Sequence, residues 1–119
     1  MDMMKIQVIL ENATLQAVID DTRIGRDFLS VLPLDLELSD YHGMEKVADL
    51  PRQLDTTDAP RSYTPKPGDI TLYAPWGNMA IFYKSFGTTA GLVRLGAFDG
   101  SIEPLLKTGP YKARFQRAE

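Results

Sequence analysis

The sequence predicts one small, mainly β fold of about eight strands with one short helix, arranged as a barrel or a sandwich. Three observations carry that reading. Apolar and polar residues alternate in several short runs, turn residues recur at short intervals, and only one stretch follows a helical period. The 119 residues, 44% hydrophobic and 24% charged, suffice for one core and are too few for two.

Residues 5 to 19 read as a hairpin. Ile6, Val8 and Leu10 alternate with Lys5, Gln7 and Ile9, Glu11-Asn12 turns the chain, and Leu15, Ala17 and Ile19 form the second inward row. The period then lengthens. After Asp20-Asp21-Thr22, a set of helix N-cap residues, Ile24, Phe28, Val31 and Leu32 fall at helical spacing until Pro33 ends the run. This helix is expected to plug one end of the sheet.

Leu34-Asp35-Leu36-Glu37-Leu38 is the most regular strand, with three leucines on one face and two acids on the other. Residues 41 to 50 are less regular and predict a loop followed by a short strand around Lys46-Val47-Ala48. From Pro51 to Pro67 the chain holds four prolines and little apolar matter, which predicts an irregular surface loop of functional length. Strands follow at 70–73, 79–83 and 92–95, with Pro75-Trp76-Gly77-Asn78 as a tight connection. One helical turn is expected around Pro104-Leu105-Leu106, and a last strand over 111–115.

Charge and composition exclude several function classes. Thirteen basic residues against 16 acidic ones give a net charge of −3, and the basic residues are scattered rather than gathered into the face that nucleic acid requires. No nucleic-acid partner is expected. There is no cysteine, so disulfides, thiolate catalysis and cysteine-ligated zinc are impossible. No run approaches the ~20 apolar residues of a membrane helix, and the first residues do not read as a signal peptide, so no membrane partner and a cytoplasmic location are expected.

Motifs of nucleotide and hydrolase chemistry are missing. No Gly-x-x-x-x-Gly-Lys, Gly-x-Gly-x-x-Gly or Gly-x-Ser-x-Gly occurs, and no cofactor is expected. Tyr41-His42-Gly43-Met44-Glu45-Lys46 is the densest polar segment, yet one histidine without cysteine makes a poor transition-metal site, so no metal is expected either. Asp35 and Glu37 read as a solvated strand face, and Asp20 and Asp21 suit the positive end of the helix.

Three runs carry a family resemblance: Gly68-Asp69-Ile70-Thr71-Leu72-Tyr73, Ile81-Phe82-Tyr83-Lys84-Ser85-Phe86, and Leu92-Val93-Arg94-Leu95-Gly96. Arg26-Asp27-Phe28, Leu32-Pro33-Leu34 and Glu45-Lys46 agree in order. Together they resemble the small bacterial and archaeal cyclophilin-like domains over nearly the whole chain. The resemblance implies a closed eight-stranded barrel with a helix at an end, the fold of the peptidyl-prolyl isomerases called cyclophilins. The cyclophilin catalytic segments (Phe-His-Arg, Met-x-Gln-Gly-Gly, Trp-Leu-Asp-x-Lys-His) do not occur here, and fold alone does not carry activity.

Three readings of function follow. In the first, the barrel is a binding module whose mouth, edged by Trp76, Tyr83, Arg94 and the 51–67 loop, holds a small molecule or peptide. Tyr41, His42, Glu45, Lys46, Asn78 and Phe82 complete the candidate binding set. In the second it is a divergent prolyl isomerase, with Arg94 as the donor that engages the twisting amide beside an aromatic pocket. In the third, Glu45, Lys46 and Arg94 form a polar cluster for unrelated chemistry. The bland alternatives are a structural ion pair for Arg94, with Glu45 as its candidate partner, and core packing for the aromatics, with Phe82 inside the barrel and Trp76 capping it or lining its mouth. No oligomeric state is assigned.

Overall fold

The computed structural model describes residues 4–118. Along the chain lie β1 (Lys5–Ile9), β2 (Thr14–Ile19), α1 (Arg23–Ser30), β3 (Leu34–Tyr41) and β4 (Glu45–Asp49). Then come β5 (Ser62–Tyr63), β6 (Asp69–Tyr73), β7 (Asn78–Phe82), β8 (Thr89–Ala90) and β9 (Leu92–Phe98). A 3₁₀ turn (Glu103–Leu106) and β10 (Tyr111–Arg117) complete the order. Eight strands join in the order β1-β10-β3-β4-β7-β6-β9-β2, and β2 pairs back with β1. The ring is therefore closed. A barrel, not a sandwich, is what the alternating rows build, and closure leaves its strands without a free edge.

The inward rows are those the alternation predicts. Ile6, Val8, Leu38, Ile81, Leu95 and Phe115 are fully buried in the same core, so the lumen is filled with side chains. Into it α1 buries Ile24, Phe28 and Leu29. Thr22 caps the helix, its hydroxyl accepting from the amide of Gly25 at 3.1 Å.

Two expectations change. The polar segment after β3 is a tight three-residue hairpin connection, closed by the Met44 amide donating to the Tyr41 carbonyl at 3.1 Å, with His42 at φ 55° and Gly43 at φ 66° both left-handed. The 51–67 segment is less irregular than its prolines suggest. It contributes β5, and it buries Leu54 in the core. It is also pinned to α1 by Arg52, whose two terminal nitrogens donate to the Asp27 carboxylate at 2.8 and 2.9 Å. The Arg52 hydrogen bonds hold the Asp27 carboxyl down to about 2, with the Asp55 amide adding to them.

β5 pairs with β8 through Ser62↔Ala90 and Tyr63↔Thr89, outside the barrel. This two-stranded flap covers the outer face of the wall. Beneath it a second apolar cluster forms from Ala80, Phe82 and Leu92, with Tyr63, Tyr73 and Val47 packed around them. β7 is consequently buried on both faces along its whole length. No helix among the described residues is long and apolar enough to cross a membrane.

Closure depends on close backbone approach where β2 meets β9. A side chain at Gly96 would place its Cβ 2.2 Å from the Val18 carbonyl oxygen and 2.8 Å from the Ile19 Cα, and neither atom can swing away. Gly96→Ala is therefore expected to cost about 3 kcal/mol by forcing these two strands apart. Urea unfolding checks this; a midpoint equal to that of the unsubstituted protein would contradict it.

Candidate functional site

Strand pairing lays out the outer wall as rows. Tyr41 stands opposite Glu45, and Glu45 opposite Phe82. The next row runs Ser39, Val47, Ala80 and Thr71, and the next Asp49, Asn78 and Tyr73. A groove of about 660 Å³ lies over these rows. Val47, Asn78, Phe82, Phe86, Trp76 and Tyr41 are among the residues that line it.

Trp76, in the turn between β6 and β7, is 66% exposed, unusual for the chain's one tryptophan. Its ring is held against Tyr73 at 5.3 Å and 83° and against Tyr41 at 6.2 Å and 89°, edge-type contacts that aromatic quadrupoles favour. Both tyrosine rings thus stand at near right angles to the Trp76 ring, and all three residues line the groove.

Two polar groups among these rings lack partners. Asn78 is 9% exposed and its Nδ2 donates to the Met79 carbonyl at 3.3 Å, but its Oδ1 has no hydrogen-bond donor among the described residues. Glu45 is half-buried, and among the described residues no donor engages its carboxylate. Burial alone pushes its pKa up.

Of the sequence-predicted residues, Tyr41, Glu45, Trp76, Asn78 and Phe82 come together in this groove. Phe82 was expected inside the barrel. It points outward, because Ile81 beside it takes the inward position opposite Lys46, and the flap supplies the cover that an outward phenylalanine needs. Trp76 lies along the outer wall rather than at a mouth, since the lumen is filled. His42 meets Tyr41 edge-on in the hairpin turn, ring centres 4.1 Å apart and planes at 72°.

Lys46 and Tyr83 belong elsewhere. Lys46 projects to the opposite face of β4 from Glu45 and is only 3% exposed. Its Nζ donates to the Lys107 carbonyl at 2.9 Å, lies 3.5 Å from Asp40 and sits over the rings of Tyr83 and Tyr111. Tyr83 in turn donates to Asp40; burial, and then that bond, push its hydroxyl up to about 12. These groups satisfy one another.

Arg94 lines a separate hollow of about 260 Å³ with Tyr63, Asp20 and residues 57–60. Its partner is not Glu45. Nε donates to Asp20 at 2.8 Å and Nη1 to Asp69 at 3.2 Å, and the Asp20 bond leads the causes that raise its pKa further. Asp69, 2% exposed, also accepts from the Tyr63 hydroxyl at 2.6 Å and the Lys66 amide at 2.8 Å. Glu45 and Arg94 therefore face different hollows, and the polar cluster of the third reading does not assemble.

Val47, Ser39 and Phe86 also line the groove without having been among the candidates. Alternation within 45–49 already places Val47 on the face of Glu45, a signal present in the sequence. Phe86 carries none, since its position depends on the flap. Among the described residues no group of three or more histidine, aspartate or glutamate side chains is placed to hold a metal ion.

Comparison with known proteins agrees with this architecture. The signature of the Cyclophilin-like family matches residues 8–116. The chain belongs to the cyclophilin-like family. A solution structure of a hypothetical protein from Archaeoglobus fulgidus is similar, with a TM-score of 0.68 and 13% identity over 98% of this chain and 96% of that one. At that identity the likeness speaks for the fold. No curated protein matches the chain. For this cyclophilin-like domain, then, the groove must be argued from its own residues.

Two outcomes follow from these environments. Arg94→Ala leaves the buried Asp69 carboxylate without its cation and is expected to cost about 2 kcal/mol or more, read as a lower Tm. Unchanged Tm would contradict the structural role. Glu45→Gln should act oppositely. Because the folded-state pKa of Glu45 is raised, its contribution to stability is lost as pH rises through that value. At pH 7 the glutamine variant is expected to melt higher than the parent, and the gain should vanish below about pH 4, where the carboxyl is protonated in both states.

Proposed function

We propose that this cyclophilin-like barrel is a binding module whose site is the groove on its outer wall, taking a small molecule or a short peptide without a cofactor. One observation carries the reading: Asn78 lines the groove, and its buried Oδ1 has no hydrogen-bond partner among the described residues. A buried acceptor left unpaired costs about 1–3 kcal/mol, which an incoming N–H or O–H would recover. The aromatic surroundings supply apolar contact area for the rest of such a ligand, and the volume lies in the range of small-molecule sites.

The prolyl isomerase alternative draws less support. Its proposed donor, Arg94, is engaged by two carboxylates away from the groove, and no lysine or arginine lines the groove itself. A protease-coupled assay on proline peptides is expected to show no acceleration.

The binding reading is tested by titrating a mixed library of amide and small aromatic fragments into the isotopically labelled protein. Chemical-shift changes are expected at Val47, Asn78 and the Trp76 indole. Shifts confined to the Arg94 hollow, or none anywhere, would overturn the assignment of the site.

A further inference from the structure

We infer that the ligand of this groove carries an ammonium group, held by the aromatic rings and the unpaired carboxylate of Glu45. The inference rests on the binding reading above and narrows it to one chemistry. Four acidic residues line the groove (Asp35, Glu37, Glu45 and Asp49) and no basic one does. Asp35 is taken by Arg114 at 2.9 Å, on the side away from the rings. Glu37, Glu45 and Asp49 have no cation within salt-bridge distance among the described residues.

Acidic side chains alone would say only that a surface is solvated. Two independent features make this one different. The first is Asn78, more than nine-tenths buried, whose free Oδ1 is a second acceptor on the groove side of β7. The second is the cluster of Tyr41, Trp76 and Tyr73, in which each tyrosine ring stands nearly perpendicular to the exposed Trp76 ring. Aromatic faces attract cations through the ring quadrupole, and tryptophan does so most strongly.

The groove therefore offers acceptors and π-faces but no positive charge. A carboxylate or phosphate ligand would meet repulsion from Glu37, Glu45 and Asp49 with no basic residue to offset it. A neutral ligand would fill the apolar area and leave Glu45 half-buried and uncompensated. An ammonium group answers both conditions, and its attraction to Glu45 is strengthened by the same desolvation that makes the carboxylate costly in the empty groove. The ammonium can arrive on a free organic amine or on a lysine side chain of a peptide; the chemistry recognised is the same.

The test uses the fluorescence of Trp76, the chain's one tryptophan, with calorimetry as a second readout. Choline is compared with 3,3-dimethylbutan-1-ol, its uncharged isostere. Spermidine and an acetylated, amidated Gly-Lys-Gly peptide represent the two sources. Choline is expected to produce a saturable change at least about tenfold tighter than the neutral alcohol. Glu45→Gln, which should fold at least as well as the parent, is expected to lose about tenfold in choline affinity and to bind the alcohol unchanged. The peptide saturating before spermidine assigns the ammonium to a lysine side chain, and the reverse order assigns it to a free amine. Equal affinity for choline and the alcohol, undiminished choline binding by Glu45→Gln, or no saturation by any ammonium compound would each overturn the inference. Neutral fragments still shifting Asn78 would, in those cases, leave the binding groove standing without its charge selectivity.

Discussion

Asp69 is a carboxylate almost entirely withdrawn from water, and the outer wall of the barrel is organised around keeping it satisfied. A buried charge is tolerable only when its lone pairs are met by donors held in place. Here three elements supply them: Tyr63 from the flap, the Lys66 amide from the segment that follows it, and Arg94 from β9. Arg94 extends the arrangement to Asp20 at the start of the helical segment. One anion thereby fixes the position of the flap relative to the barrel.

The groove inherits its shape from that constraint. With the flap held down, Leu92, Ala80 and Phe82 are buried against Tyr63, and Phe82 and Phe86 meet at 6.0 Å. The flap stops there, so β3 and β4 leave their outer face open beside a covered β7. A hollow forms at the step between covered and uncovered wall. Its polar groups are the ones the fold leaves unanswered, whereas the equally polar cluster around Lys46 is closed upon itself by Asp40, Lys107 and two tyrosines. Both contain charge within a largely apolar setting, and only the groove has hydrogen-bonding capacity to spare, which is what the proposed binding role draws on.

Local patterns in the sequence went far toward the barrel. The strict alternation of 34–38 and of 5–19 specifies which side chains enter the lumen, and the spacing of Ile24 and Phe28 after Thr22 specifies the helix and its start. Less legible was everything that depends on the outer face being covered. Met79-Ala80-Ile81-Phe82 is an unbroken apolar run, the pattern of a strand buried on both sides, yet nothing local states what covers it. The cover comes from Ser62 and Tyr63 in a proline-rich segment and from Thr89 and Ala90, two pairs of residues with no strand period between them. Five of the nine candidate binding residues line the groove, Phe82 among them although it was expected inside the barrel. Tyr83, Lys46 and Arg94 are polar or aromatic for reasons of internal pairing, a distinction that requires knowing which charges meet across 25 or more residues of chain.

A filled lumen also limits where activity can reside in a barrel of this size. Eight strands enclose an interior just wide enough for their own side chains, so no ligand can enter without displacing core residues that are fully buried. Specificity has to be written on the wall. There each strand presents every second residue, and the closed hydrogen-bond register holds those residues in fixed rows. Such a surface is rigid by construction, which suits it to positioning an acceptor such as Asn78 against rings such as Trp76. The cost appears as an unsatisfied amide oxygen and a desolvated carboxylate within one groove. Apolar or paired residues at those two positions would stabilise the wall, so the two unpaired groups support the proposed groove rather than the barrel itself.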